Sequence, residues 1–447
     1  MPKMPKPEPL PAAGPSREEI ARIEVGHTTV APRTVRVLVA LFLTAIAVVP
    51  IVEWAGLHAL RAASAATPWS HLSKIPGEIH SYLVGATTLE NPGLWRDIVS
   101  MNRIALAGLS GFERALEDQS VLGRSLRPPA QALMTDWLGA GNERVYAGRD
   151  GWLFYRQDVE HITGRGFLEP AQIERRIAAA AEWDTPPQPD PREAIVRFTR
   201  DLEARGITLI VMPTPLKPGI HPEMLARRYA QADGVLQNPS YRAFVEDLER
   251  EGVRVFDPSE LLAAARRTGP QYLSTDTHWR PETMEMVAEG LGGFIAANVV
   301  LPVTADPGYR VERSEVRNTG DIARMLDLPE DAPLFPPEAV WLRRIMQSDG
   351  RPWRSSRDAD LLVLGDSFTN IYALESMAWG TSAGFAEQLA YAMRRPVDRL
   401  VQNDEGAFTT RAMLQRDPQR LSGKRVVVYQ FAARELAFGD WKVIPLR

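Results

Sequence analysis

From Val37 to Val52 the chain reads VLVALFLTAIAVVPIV, uncharged throughout, with Arg33 and Arg36 before it and Glu53 and Trp54 after it. A helix that is apolar all round, rather than along one stripe, is buried either in protein or in lipid. A bilayer span takes roughly 20 apolar residues, and this run reaches that length once Val35, Trp54 and Ala55 join it and Arg36 extends to the headgroups. The basic residues on its N-terminal side predict that residues 1–33 are cytoplasmic and that everything beyond residue 55 is outside. Residues 34–55 are thus expected to form an uncleaved signal anchor, single-pass in the inner membrane, with the bulk of the chain in the periplasm. A cleaved signal peptide fits less well, because some thirty polar residues precede the run. The opening MPKMPKPEPLPAAGP is too rich in proline to form a helix or a core, so residues 1–33 read as a disordered tail.

Beyond the anchor, apolar positions recur every three or four residues along Ile98–Leu116, and prolines at 68, 76, 92, 128 and 129 act as expected breakers. Residues 56–143 therefore read as a helical stalk or insert. From about Val145 the pattern becomes short apolar runs alternating with amphipathic helices, the mark of an α/β domain with a largely parallel sheet. Helix Pro191–Arg205 leads through Gly206 into a strand over Ile207–Met212, and helix Tyr241–Glu251 leads into a strand over Val253–Phe256. Asp257-Pro258-Ser259-Glu260 then carries capping chemistry for a helix reaching Arg267. Leu361–Leu364 and Arg425–Tyr429 are the remaining predicted strands. Residues 144–447 form one expected domain, with its site in the loops after the strands.

Composition narrows the chemistry. With 52 basic against 56 acidic residues the net charge is −4, too balanced for a nucleic-acid surface spread over the protein. The absence of cysteine excludes disulfides, thiolate metal sites and thiol nucleophiles.

Two motifs carry the candidate chemistry. Leu361-Leu-Val-Leu-Gly365-Asp366-Ser367-Phe368 is an apolar strand ending in Gly-Asp-Ser before a helical pattern. A serine on such a turn exposes its hydroxyl and sets its own N–H at a helix start, where negative charge is favoured. Gly365 is expected to let substrate approach the backbone, and the helix end to supply part of an oxyanion hole. Read alone, the motif fits a capped βα turn equally well. The second motif, Tyr272-Leu-Ser-Thr-Asp276-Thr277-His278-Trp279, holds an Asp and a His two residues apart. A serine nucleophile needs an imidazole to take its proton, and the imidazole needs a carboxylate to fix its tautomer. Asp276 and His278 supply both. Of seven histidines, His27, His58 and His71 lie in or near the tail and anchor, so a metal site lacks ligands and none is expected.

The pair DTHW and GDSF, in that order, resembles the SGNH-type polysaccharide O-acetyltransferases of the alginate acetylation system, the AlgJ/AlgX type. Other stretches agree: Gly148-Arg-Asp-Gly151-Trp152-Leu-Phe154-Tyr155 with Asp158, Val159 and Glu160; Met212-Pro-Thr-Pro215-Leu-Lys217; and Phe431-Ala-Ala-Arg434-Glu435 through Gly439-Asp440-Trp441-Lys442. Ordinary SGNH esterases carry the serine first and the Asp/His pair last, and here the order is reversed. The resemblance implies an SGNH hydrolase-like parallel sheet flanked by helices, with Ser367 as nucleophile, His278 as base and Asp276 as its orienting carboxylate. It implies no cofactor. Asp366 is read as structural, and Tyr372 and Trp279 as lining the acyl or sugar site. Trp152, Phe154 and Tyr155 are further sugar-stacking candidates, with core packing the commoner use. Arg434 and Glu435 are a candidate ion pair, Asn370 and Asn403 are candidate oxyanion donors, and His161 is an expected surface or core histidine. The implied partners are an exported polysaccharide and an acetyl donor delivered by a membrane-bound O-acyltransferase. An esterase with the same triad and a non-catalytic glycan-binding scaffold are the alternatives, and the motifs do not separate esterase from transferase.

Overall fold

The computed structural model describes residues 31–59, 69–86, 94–179, 185–231, 234–329, 334–403 and 406–446. The expected tail falls almost entirely outside them, as do residues 60–68 and 87–93 of the expected stalk. The chain divides into two units, Met1–Arg127 and Pro128–Arg447.

In the first unit, helix Pro32–Ala59 covers the apolar run, and the side chains of Val37, Leu38, Leu41, Phe42, Leu43 and Ile51 are exposed. Among the described residues no helix is long and apolar enough to cross a membrane; the side chains of residues 45, 46, 49, 50 and 53–59 are not among those described. Helices Trp69–Ala86 and Leu94–Gln119 pack closely where glycine permits it. A Cβ at Gly108 would lie 2.4 Å from Ile75 Cγ1, and one at Gly111 would lie 2.8 Å from His71 Nδ1. Contrary to expectation, Pro76 lies inside the first of these helices, and Pro128 and Pro129 lie inside helix Val121–Leu138. Each proline removes one i→i−4 bond, and the flanking turns carry the helix past the gap.

The second unit is built on a five-stranded parallel sheet. Its strands are β3 (Thr208–Thr214), β4 (Arg254–Val255), β7 (Leu361–Gly365), β8 (Asp398–Val401) and β9 (Val426–Ala432), in the spatial order β4-β3-β9-β7-β8. Both faces are covered, which explains why β3, β7 and β9 read as unbroken apolar runs rather than alternations. Ile210, Met212, Leu361, Val363, Val426 and Val428 meet Met284, Val287, Leu291 and Ile295 of helix Pro281–Asn298 and Phe385 and Leu389 of helix Phe385–Met393. On the other face Leu209, Val211, Leu362, Leu364 and Val427 meet Phe198 of helix Pro191–Glu203, Leu248 of helix Tyr241–Arg250 and Leu414 of helix Thr409–Arg416. Gly206, at φ +70°, makes the predicted helix-to-strand reversal. The helix after Asp257 is Ser259–Ala265, starting one residue later and ending two residues earlier than expected, with Pro258 rather than Asp257 at its cap; the Asp257 carboxylate still accepts the Ser259 N–H at 2.9 Å.

Three features were not expected from the sequence. Strand β8 is four residues long, and its Asp398 and Arg399 break the apolar signal. β1 (Val145–Ala147) and β2 (Leu153–Tyr155) form a short antiparallel pair. β5 (Arg310–Asn318) and β6 (Glu338–Met346) form an antiparallel ribbon, and β5 is too polar, RVERSEVRN, to read as a strand. The ribbon's inner side packs at Val340 and Leu342, while Trp341 is 59% exposed.

Candidate active site

The nucleophile turn follows β7, whose neighbours β9 and β8 end beside it. Asp366 caps helix Ser367–Asn370: its Oδ1 accepts the Phe368 N–H and the Gln430 Nε2–H, each at 2.9 Å, and its Oδ2 accepts the Ala432 N–H at 2.7 Å. Its role is structural, as expected. Gln430, buried on β9, accepts the Asp366 N–H at 3.0 Å and the Thr369 hydroxyl at 2.8 Å, and its Nε2 also donates to Thr214 on β3 at 2.8 Å. One amide thus ties two strands to the turn. A Cβ at Gly365 would lie 2.2 Å from Thr369 Oγ1 and 2.9 Å from Gln430 Oε1. The missing Cβ at Gly365 therefore makes room for this bracing, and the residue also lines the small cavity beside the turn. Ser367 is half-buried, with its N–H at the first helical position, where no intrahelical acceptor exists.

The Asp-x-His segment lies in a turn closed by the bridge Tyr272↔Trp279, just before Pro281 starts its helix. His278 Nε2 is 2.8 Å from Ser367 Oγ, and Nδ1 is 2.7 Å from Asp276 Oδ1. Because a carboxylate only accepts, the proton of the neutral ring sits on Nδ1, and Nε2 faces the serine as an acceptor. Burial alone would lower the imidazole's pKa, but the hydrogen bond and charge of Asp276, then the charge of Asp321, raise it above 6.5. Burial would raise Asp276, but the hydrogen bond and charge of His278, then the Asp321 N–H and the Trp379 indole, hold its carboxyl below the usual carboxylate range.

Asp276 is over-determined. Oδ1 accepts the His278 ring and the His278 main-chain N–H at 3.1 Å; Oδ2 accepts the Asp321 N–H at 3.0 Å and Trp379 Nε1–H at 2.9 Å. The approach of residues 320–321 depends on Gly320, where a Cβ would lie 2.1 Å from the Thr275 carbonyl oxygen and 2.5 Å from Asp276 N. Both are backbone atoms, so Gly320→Ala is expected to displace the carboxylate and lower kcat about 100-fold, since small misplacements of a catalytic group have effects of that order. Parallel thermal melts and turnover measurements check this; unchanged kcat would contradict the tight approach.

Of the other expected residues, Tyr372 and Trp279 lie behind the triad, fully buried. The Tyr372 hydroxyl donates to the Trp279 carbonyl at 2.7 Å, and the Trp279 ring packs on Phe368 and Phe385. Neither offers a ring face to a sugar, because both are used to hold the Asp/His turn against the nucleophile helix. Phe154 is also buried, and the Trp152 ring lies tilted against His221, 4.8 Å between centroids. Arg434 pairs with Asp158 at 3.0 Å rather than with Glu435, and lies over the Tyr155 and Phe368 rings. His161 is buried beside Phe167, and burial, reinforced by the charge of Arg434, pushes its imidazole down to about 3. Asn370 donates to Asn403 at 2.9 Å, and the Asn403 amide donates to the weak acceptor Met377 Sδ at 3.5 Å.

Sequence reasoning missed four residues. Lys217, fully buried, donates to the carbonyls of Leu153, Ser274 and Asp276 at 2.6, 2.7 and 3.0 Å, and burial pushes its ammonium down to about 7. It belongs to one of the matched stretches, which was the available signal. Gln430, Asp321 and Trp379 carried none, since only tertiary contact brings them to the site.

Asp276, His278 and Asp321 have ligand-type atoms within 4.8 Å of one another. The four N–H donors on Asp276 occupy its lone-pair directions, so this cluster is built to hold an imidazole rather than a cation. The largest cavity among those described, 1130 Å³, runs past Glu289, Tyr309, Tyr391 and Arg395 and includes no triad residue. A cavity of 40 Å³ lies under the nucleophile turn, between Asp366, Asn403, Gln430 and Arg434. The arrangement as a whole suits acyl transfer: a hydroxyl, a base aligned on it, a carboxylate fixing the base and a helix-start N–H beside them.

Comparison with known proteins agrees with this geometry. Probable alginate O-acetylase AlgJ of Pseudomonas aeruginosa is 26% identical over 302 residues, covering 66% of this chain and 71% of that protein. AlgJ of Pseudomonas putida is 23% identical over 365 residues, covering 76% and 86%. The O-acetyltransferase domain of Pseudomonas putida AlgJ has the same fold, with a TM-score of 0.50, 21% identity and coverage of 66% of this chain and 93% of that one. Residues 145–433 match the family described as SGNH hydrolase-like domain, acetyltransferase AlgX, and the chain belongs to that family.

Proposed function

We propose that the chain is an O-acetyltransferase that moves an acetyl group, through an acetyl-serine, to hydroxyls of an exported polysaccharide such as alginate. The observation that carries this reading is the unbroken line Ser367 Oγ, His278 Nε2, His278 Nδ1, Asp276 Oδ1, with contacts of 2.8 and 2.7 Å. Ser367 Oγ attacks the donor's acetyl carbonyl while His278 Nε2 takes its proton, and the proton then passes to the departing group. The acceptor hydroxyl repeats the sequence in reverse, giving its proton to His278 as it attacks the acetyl-serine and frees Ser367. Relatives named alginate O-acetylase support the choice of acetyl group and polymer. We further propose that residues 34–55 anchor the chain in the inner membrane, with the catalytic domain in the periplasm, where a membrane-bound O-acyltransferase delivers the acetyl group. The exposed apolar side chains of helix Pro32–Ala59 support this.

The test is to incubate the full chain with a chromogenic acetyl ester, with and without an oligouronate acceptor, and to look for acetylated sugar by mass spectrometry. Acetylated sugar that vanishes in Ser367→Ala supports transfer. Acetate release indifferent to acceptor indicates an esterase, and the absence of both turnover and acetyl-Ser367 overturns the enzyme reading. With Trp279 and Tyr372 buried, the exposed aromatic on the ribbon rooted at the Asp/His turn is Trp341. Loss of one stacking partner removes about 1 kcal/mol, so Trp341→Ala is expected to raise KM for a polymeric acceptor roughly fivefold and to leave small-ester turnover unchanged. Steady-state kinetics with the two substrate types checks this.

A further inference from the structure

Asp321 lies 45 residues from Asp276 in sequence, yet the local backbone is built to bring them together. The Gly320 N–H donates to Thr275 Oγ1 at 3.2 Å and the Ala323 N–H to the Thr275 carbonyl at 3.1 Å, seating residues 320–323 on the Asp/His turn. From that seat the Asp321 main-chain N–H reaches Asp276 Oδ2 at 3.0 Å, and Asp321 Oδ1 accepts the Thr277 N–H at 2.7 Å. Its second oxygen, Oδ2, stands 4.0 Å from His278 Nδ1. That nitrogen already donates to Asp276, so at this distance Asp321 acts on the ring by charge and not by a hydrogen bond.

We infer that Asp321 is a positioning residue of the triad: its main-chain N–H fixes Asp276, and its carboxylate steadies the charge that His278 acquires on taking the Ser367 proton. The inference rests on the triad reading proposed above. The other charged or titratable groups around His278 are otherwise engaged. Asp158 is paired with Arg434, Glu338 with Arg280, and Lys217 is held by three carbonyls, while Tyr155 carries a neutral phenol. After Asp276, Asp321 is the carboxylate whose charge acts on the ring; among the described residues it makes no salt bridge to Arg, although its charge also reaches the buried Lys217. Burial and the charge of Asp276 push its carboxyl up to about 6, so it is mostly ionised at neutral pH and delivers its charge there.

Asp321→Asn tests the inference, because the amide keeps the shape and an acceptor for Thr277 while removing the charge. The His278 imidazole is titrated by NMR in wild type and variant, and kcat/KM is measured against pH with a small acetyl ester. A nearby opposite charge raises an imidazole pKa by about one pH unit or more. In Asp321→Asn the His278 titration and the acid limb of kcat/KM are therefore both expected to move down by about one pH unit, with plateau kcat about tenfold lower. A purely structural role would lower activity without moving either curve, and that result overturns the inference. Should Asp321→Asn fail to fold, Asp321→Ser retains the main-chain donor and a neutral acceptor and is read in the same way. Wild-type protein without Ser367-dependent turnover overturns the proposed function. A His278 titration that still moves in the variant then upholds the electrostatic assignment independently.

Discussion

Ser367→Ala is expected to lower kcat for acetyl transfer by about 10⁴-fold or more while leaving the fold intact. Loss of the nucleophile from a Ser/His/Asp set removes the covalent route altogether, and what remains comes from binding and oxyanion stabilisation alone. Among the described residues the serine hydroxyl hydrogen-bonds to His278. The turn itself is held by Asp366, Gln430 and Ala432, which the substitution does not touch. Activity and stability should therefore separate: the melting temperature stays within a few degrees of wild type, and mass spectrometry finds no acetyl adduct on the tryptic peptide containing residue 367. A variant retaining a tenth of wild-type activity would show that Ser367 is not the nucleophile.

Asp276→Asn is expected to be nearly as damaging to activity and, unlike the serine variant, to stability as well. Replacing the triad carboxylate by an amide lowers kcat about 10⁴-fold where the imidazole tautomer depends on it. Here the residue also accepts four N–H donors, and an amide nitrogen turned toward any of them leaves a buried donor unsatisfied, at about 1–3 kcal/mol. The pH dependence follows from the directions of the shifts. Asp276 titrates below its unfolded value of about 3.9, so its contribution to stability is fully present above that value and is lost as pH falls through the folded pKa. His278 is raised above 6.5 and must be neutral to act, so wild-type kcat/KM should climb with pH through a limb above 6.5. In Asp276→Asn that limb should move down and the acid-side loss of stability should shrink. Denaturant melts at several pH values and a kcat/KM profile together check both; a limb that stays in place would mean that Asp276 does not set the base.

Much of the fold was legible because its physics is local. A strand buried on both faces must be an apolar run, and helix Pro191–Glu203, Gly206 and β3 appear in sequence as periodicity, a positive-φ glycine and such a run. Strand β8 was missed because a four-residue edge strand begun by an aspartate has no such signature. The ribbon β5–β6 was missed because one strand of it is mostly solvent-facing. The expectation that Tyr372 and Trp279 would face substrate failed for the converse reason: residue type marks an aromatic as useful, and only packing decides whether its face is free.

By itself the sequence supplied the candidate residues: a serine in a Gly-Asp-Ser strand-to-helix turn, an Asp-x-His pair to serve it and no cysteine. What only the tertiary structure decided is the environment of that chemistry: that Asp276 answers four donors, that Lys217 gathers three carbonyls behind it, that Gln430 braces the nucleophile turn and that Asp321 faces the imidazole. The two bonds from His278 to Asp276 aside, these contacts join residues 43 to 103 positions apart, and such pairings leave no period or spacing along the chain. They exist because a parallel sheet gathers the ends of distant strands at one edge, where burial strengthens every charge and hydrogen bond placed there.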